Sequence, residues 1–154
     1  MSWLDLCTPL VAAFEGCAKR VGRLIYPYLD RLAKPPVWTR GYGRTFGISG
    51  GSPPITPDNA KAELSVGLSA YGRRCATLAP PLLGKPECLA AVTSWAWNCG
   101  TGAFKVSRLR RAINEGRWDD AAELLRKPNT AGGVVYRGLD RRRQVERALF
   151  LLGY

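Results

Sequence analysis

Apolar side chains at Trp3, Cys7, Leu10, Val11 and Phe14 recur at spacings of four, three, one and three. That is the stripe of an amphipathic helix. Ser2 with Asp5 can cap its start. Pro9 leaves two arrangements open: Thr8 caps a shorter helix with Pro9 at its first position, or Pro9 kinks a longer one. Gly16 is the expected stop. From 16 to 56 the helical period disappears. This stretch is rich in Gly, Pro, Tyr and Arg, with short runs at Val37–Thr39 and Arg40–Phe46. It predicts a small, twisted antiparallel sheet with tight turns, closed by Gly50-Gly51-Ser52-Pro53-Pro54. Thr56-Pro57-Asp58 supplies a capping hydroxyl, a proline at the first helical position and an acid in the first turn. Ala60, Leu64, Leu68, Tyr71, Cys75 and Leu78 then hold a helical stripe until Pro80-Pro81. Beyond it the pattern predicts helices over 86–98, 103–114 and 118–126, a Gly-containing loop over 128–138, and a last helix ending near Leu152.

The expected fold class is α+β in one 154-residue domain. Its parts are an N-terminal helix (1–16), a β lobe (17–56), a connecting helix (57–79) and a helical lobe (80–154). A cleft between the two lobes is the expected substrate site. With 46% hydrophobic residues there is mass for a packed core, which excludes disorder. No window approaches the roughly 18–20 apolar residues of a membrane-spanning helix. The first fifteen residues lack a basic start and an uninterrupted apolar core. That predicts a chain made and kept in the cytoplasm.

The net charge of +11 implies attraction to something anionic: nucleic acid, phospholipid or an acidic wall polymer. The excess is spread along the chain, with one local run at Arg141-Arg142-Arg143, read as a solvated face. Five cysteines (7, 17, 75, 88 and 99) at wide spacings, with no C-x-x-C, suggest neither zinc site nor disulfide scaffold. They read as reduced, buried apolar residues. The absence of histidine excludes a Ser-His-Asp triad, a Cys-His pair and a His-ligated metal. No metal or cofactor is expected.

Acid–base chemistry therefore falls to carboxylates. Asp58, Asp119, Asp120, Glu123 and Glu146 read as caps or surface charges. Glu15 stands apart, because it ends an apolar stripe just before Gly16. A helix C-terminus and partial burial would both raise its pKa, as a general acid requires. Asp30, at the head of the Gly-rich lobe, is either a turn-initiating residue or a second catalytic carboxylate. Spacing alone does not place the two opposite each other.

Phe14-Glu15-Gly16, Tyr26-x-x-x-Asp30 and Trp38-Thr39-x-Gly41-Tyr42-Gly43-x-Thr45 together resemble the phage-type lysozymes, the endolysins or muramidases. Asn98-x-Gly100-x-Gly102-x-Phe104 and Ala131-Gly132-Gly133 with Gly138-Leu139-x-x-Arg142-Arg143-x-x-Glu146 extend the resemblance, in order, along nearly the whole chain. It implies a lysozyme-like fold that hydrolyses the β-1,4 bond between N-acetylmuramic acid and N-acetylglucosamine in peptidoglycan. Carried over by position, Glu15 is the general acid, Asp30 the second carboxylate and Thr39 the hydroxyl near the attacking water. The stretches from Glu15 to Asp30 and from Asp30 to Thr39 are longer than in compact members. They read as a loop insertion before Tyr26 and a longer turn at Arg31–Pro36. Arg44 stands where many relatives have His, and reads as structural.

Trp38 and Tyr42 are candidate sugar-stacking residues, or core of the small sheet. Asn98, Phe104 and Arg137 are candidates to line the helical side. The last helix either packs on the core or, through its basic start and apolar end, makes weak contact with anionic outer membrane. The resemblance further implies a monomer, released to the wall by a holin-type pore, with no specific nucleic-acid partner. Three alternatives stay open: a lytic transglycosylase on the same substrate, a non-catalytic peptidoglycan binder, and a nucleic-acid-binding protein.

Overall fold

The computed structural model describes residues 1–127, 130–131 and 134–154. The Gly132-Gly133 step of the C-terminal motif lies outside them. The chain divides into two compact units, Val11–Gly67 and Met1–Leu10 with Leu68–Tyr154. The first and second long helices each contribute residues to both.

The first helix, α1, spans Trp3–Glu15 with Pro9 inside it. Its start is a reciprocal cap: the Asp5 N–H donates to Ser2 Oγ at 3.3 Å and the Ser2 N–H to Asp5 Oδ2 at 2.9 Å. The longer of the two expected helices thus forms, with exposed Pro9 leaving one turn short of a hydrogen bond. Gly16 takes a left-handed φ of 64° and ends it.

In the Val11–Gly67 unit, strands β1 (Arg20–Val21) and β2 (Leu24–Ile25) pair as one hairpin, β3 (Tyr28–Asp30) and β4 (Val37–Thr39) as another. Both are antiparallel, but they form separate two-stranded ladders rather than one sheet. The stretch read as a loop insertion before Tyr26 is therefore a hairpin. An Ile25–Ile55 bridge ties it to the loop that follows. Arg40 and Arg44 close a tight turn on each other, so the run 40–46 is not a strand. Helix α2 (Pro57–Leu78) begins where expected, with Thr56 Oγ1 accepting the Asn59 N–H at 3.2 Å. Val11, Ile25, Ala60 and Leu64 are the buried apolar residues of this unit.

In the other unit, α3 (Pro86–Cys99) is central. All nine residues from Cys88 to Ala96 are buried, as befits a helix that is apolar all round. The expected helix over 103–114 is instead two helices, α4 (Thr101–Val106) and α5 (Arg108–Asn114). Ser107 makes the break: its Oγ donates to the Phe104 carbonyl at 2.8 Å and accepts the Arg110 N–H at 3.0 Å. Helices α6 (Trp118–Leu125) and α7 (Arg137–Phe150) follow. Between them the region read as a loop contains a two-residue ladder, β5 (Thr130–Ala131) with β6 (Val134–Val135). Leu82, Val92, Trp95, Phe104, Ile113, Leu125 and Phe150 are among the core of this unit. Close packing is explicit at Gly72, where an added Cβ would lie 2.1 Å from the Trp3 ring. All five cysteines are free; Cys7, Cys75 and Cys88 are buried, Cys17 and Cys99 half-buried. Among the described residues no helix is long and apolar enough to cross a membrane.

Candidate active site

Glu15, Asp30 and Thr39 all belong to the Val11–Gly67 unit. Glu15 is the last residue of α1. The sequence reading expected it partly buried, but its side chain is exposed. Helix α1 buries the face carrying Cys7 and Val11, and Glu15 follows that face by four residues only after the helix has reached solvent.

The β3–β4 register decides the other two. Tyr28 pairs with Thr39, Leu29 with Trp38 and Asp30 with Val37. Strand alternation then puts Tyr28, Asp30, Val37 and Thr39 on one face. Asp30 and Thr39 are diagonal neighbours there, at a spacing of roughly 7–8 Å. Asp30 Oδ1 accepts the N–H groups of Leu32 at 2.9 Å and Ala33 at 3.4 Å. The turn-initiating role is thus real, and it holds the carboxylate in place. Thr39 is 4% exposed, and its hydroxyl donates to the Val37 carbonyl at 3.4 Å.

Trp38 lies on the opposite face of the ladder. Its ring covers Gly50, where a Cβ would come within 2.7 Å of Cζ2. Trp38 is nevertheless 37% exposed, so the ring packs on Gly50 along one edge and keeps part of its surface open to solvent. Tyr42 lies in the turn that follows β4, near Cys17 and Arg20. Burial raises its phenol above the ordinary value, with Cys17 adding and Arg20 opposing. Burial raises the Tyr28 phenol too, reinforced by the Asp30 carboxylate and by Cys17. Burial also raises the Cys17 thiol, against the pull of Arg20. Tyr28, Cys17 and Arg20 were not singled out from the sequence. Period-two spacing from Asp30 would have found Tyr28; nothing in the spacing marks the others.

The turn carrying Tyr42 is clamped from behind. Arg40, 7% exposed, donates to the Pro53 carbonyl at 2.7 Å and to Glu63 Oε1 at 2.6 Å. Arg44 Nη1 lies 3.3 Å from the same oxygen. Arg44 is thus a structural tie to α2.

The candidates in the other unit fare differently. Phe104 is fully buried, edge-on to Trp95 at 6.3 Å, and so is core rather than a lining residue. Asn98 Oδ1 accepts a hydrogen bond from Arg143 Nη2. Arg137 is the exposed first residue of α7. The basic run read as solvated is largely internal: Arg142 is 4% exposed, Arg143 and Glu146 fully buried. Glu146, read as a surface charge, takes Arg142 Nε at 3.0 Å, Ser94 Oγ at 2.6 Å and Arg143 Nη1. Burial there is tolerable because each charge has a partner. Among the described residues no three His, Cys, Asp or Glu side chains gather to hold a metal ion.

The family model described as phage lysozyme matches residues 12–146, which include every residue of the hairpin face and of the Arg142–Glu146 network. The chain belongs to the phage lysozyme family. It is 33% identical over 152 residues to the SAR-endolysin of Enterobacteria phage P21, covering 97% of this chain and 88% of that one. It is 48% identical over 63 residues to the endolysin of Bacillus phage B103, covering 41% of this chain. That match spans only 24% of the Bacillus phage protein. Among solved structures, the muramidase domain of SpmX from Asticaccaulis excentricus superimposes with a TM-score of 0.80 at 29% identity, covering 95% of both chains. The lysozyme-like α+β fold expected from the sequence is the fold observed. In it, the C-terminal motif Arg142-Arg143-x-x-Glu146 is an internal ion network joining α7 to α3.

Proposed function

We propose that the chain is an endolysin that hydrolyses the β-1,4 bond between N-acetylmuramic acid and N-acetylglucosamine in peptidoglycan. The observation that carries this reading is the β3–β4 register, which sets Asp30 beside Thr39 on one face. Support comes from family membership and from the SpmX muramidase domain. Glu15, protonated, gives its proton to the glycosidic oxygen as the bond to the anomeric carbon breaks. Asp30, ionised, stabilises the oxocarbenium-like transition state. Thr39 orients the water whose oxygen completes the new hemiacetal, and the proton that water sheds restores the carboxyl group. Tyr28 shares this face as a neutral phenol. The chain acts as a monomer on the wall after leaving the host cytoplasm through a holin-type pore.

Purified peptidoglycan treated with wild type and with Glu15→Gln tests the reading. The substitution removes the titratable proton while nearly preserving shape. Release of reducing ends falls by about 10²-fold or more for loss of a general acid. Equal rates remove Glu15 from the mechanism. Products ending in 1,6-anhydromuramic acid would make the chain a transglycosylase instead.

A further inference from the structure

The Val11–Gly67 unit holds a groove that the catalytic face does not use. It encloses 470 Å³ and is lined by Lys19, Val21, Tyr26, Pro27 and the loop 50–54. The hairpin that lengthens the path from Glu15 to Asp30 builds one of its walls. Its shape is fixed from several sides. Lys19 holds a left-handed backbone, φ 55°, and its carbonyl accepts the Tyr26 N–H at 3.1 Å. Such a conformation is uncommon outside glycine and is retained where the surroundings enforce it. Ile25 and Ile55 exchange backbone hydrogen bonds of 2.8 and 3.0 Å. Arg40 grips the Pro53 carbonyl, and the Trp38 ring backs Gly50. Three further lining residues are prolines, Pro27, Pro53 and Pro54, whose backbone has little conformational freedom left to lose on binding.

The chemistry of this lining is specific. Val21 is 63% and Tyr26 37% exposed, an apolar and aromatic surface without a partner among the described residues. The one formal charge on the lining is the Lys19 ammonium, and no acid lines the groove. Arg20 interacts with Cys17 and Tyr42 instead. A proline-rich lining with exposed Val21 and Tyr26 beside a single cation fits a short extended peptide with carboxylates. Tyr26-Pro27 runs straight into Tyr28–Asp30. The groove wall and the strand bearing the second carboxylate are therefore one segment, and four residues reach at most roughly 14 Å. In peptidoglycan the carboxylates sit on the peptide branches, which hang from the muramic acid ring.

We propose that this groove binds the acidic peptide branch of the wall polymer and makes the chain prefer glycan strands that carry it. The proposal rests on the muramidase reading for its role in turnover, and on the groove alone for binding. Two measurements test it on the full chain. The first compares kcat/KM on peptidoglycan with its peptides intact and on the same material stripped by an amidase. Wild type favours the intact polymer, Lys19→Glu lowers that preference by about fivefold or more, as for one lost charge-assisted contact, and Lys19→Arg keeps it. A preference indifferent to Lys19→Glu overturns the proposal. The second titrates ¹⁵N-labelled protein with the free tetrapeptide L-Ala-γ-D-Glu-diaminopimelate-D-Ala. Saturable shifts at Lys19, Val21 and Tyr26, lost in Lys19→Glu, support the groove; a flat titration of wild type overturns it. If neither polymer is cut yet the tetrapeptide binds, the muramidase reading fails and the groove stands.

Discussion

Glu146 sits between two guanidinium groups with no exposure of its own, and its carboxylate is what lets both of them be buried. Replacing it by Ala would strand Arg142 and Arg143 inside the protein. Removing one partner of a buried ion network costs about 3–5 kcal/mol. Calorimetry should accordingly show Glu146→Ala melting lower by roughly 10 °C, whereas a surface glutamate would leave the transition within a degree or two. The sequence offered no hint of this. Its i, i+3 and i, i+4 spacing to the arginines is that of any exposed helical pair, and the deciding contact, Ser94, lies 52 residues away. Glu15 was legible in place because an apolar stripe ended on it; its exposure was not, since a stripe says which side is inside but not where the helix leaves the core. The buried thiols make a second prediction. Burial pushes Cys7 and Cys75 from 9.0 up to about 12, with the Glu146 charge adding at Cys7 and a Thr93 hydrogen bond opposing at Cys75. Below pH 9 both folded and unfolded thiols are protonated and the contribution to stability is complete. Above it the unfolded chain sheds protons that the folded one keeps, so stability falls by up to about 1.4 kcal/mol per pH unit per thiol. The urea midpoint should drop as pH rises from about 9 toward about 12, less steeply in Cys75→Ala; equal slopes would show that other groups govern the alkaline limb.

At the scale of elements, each helix with a clean apolar period and a punctuated start was predictable. Helix α2 opens on Thr56-Pro57 and α3 on Pro86, as the local chemistry dictates. The split between α4 and α5 was not, because Ser107 sits in a stretch whose apolar spacing runs on through it. A single hydroxyl, capping one helix and closing the other, overrides the period. Ser107→Ala should cost about 1 kcal/mol and increase hydrogen exchange at Arg110; unaltered exchange there would mean the break is set by packing alone. The strands escaped for the opposite reason. At two or three residues each, they are too short for alternation to show, and pairing across the chain defines them. Once the β3–β4 register is known, the face shared by Asp30 and Thr39 follows from parity alone.

For the molecule as a whole, the charge of +11 was visible from composition, but not which charges water sees. Arg40, Arg142 and Arg143 are inside, committed to Glu63, Glu146 and backbone carbonyls. On the proposed function, the exposed remainder is the part that would steer the chain toward an anionic wall. Clearing of peptidoglycan should slow several-fold as ionic strength rises from about 20 to about 300 mM, where screening shortens to a few ångströms. A salt-independent rate would assign the positive surface to solubility.

Residues 3–10 pack with a part of the chain made much later. Trp3 lies over Gly72, and Cys7 is close enough to Glu146 for its charge to be felt. On the ribosome this segment therefore emerges well before the residues it packs on, and finds its place only after them. Until α7 has followed α2 out of the exit tunnel, the beginning of α1 has only part of its seat, and the helix that ends on Glu15 lacks its full anchor. A chain released early would carry every residue of the hairpin face and still be unfinished.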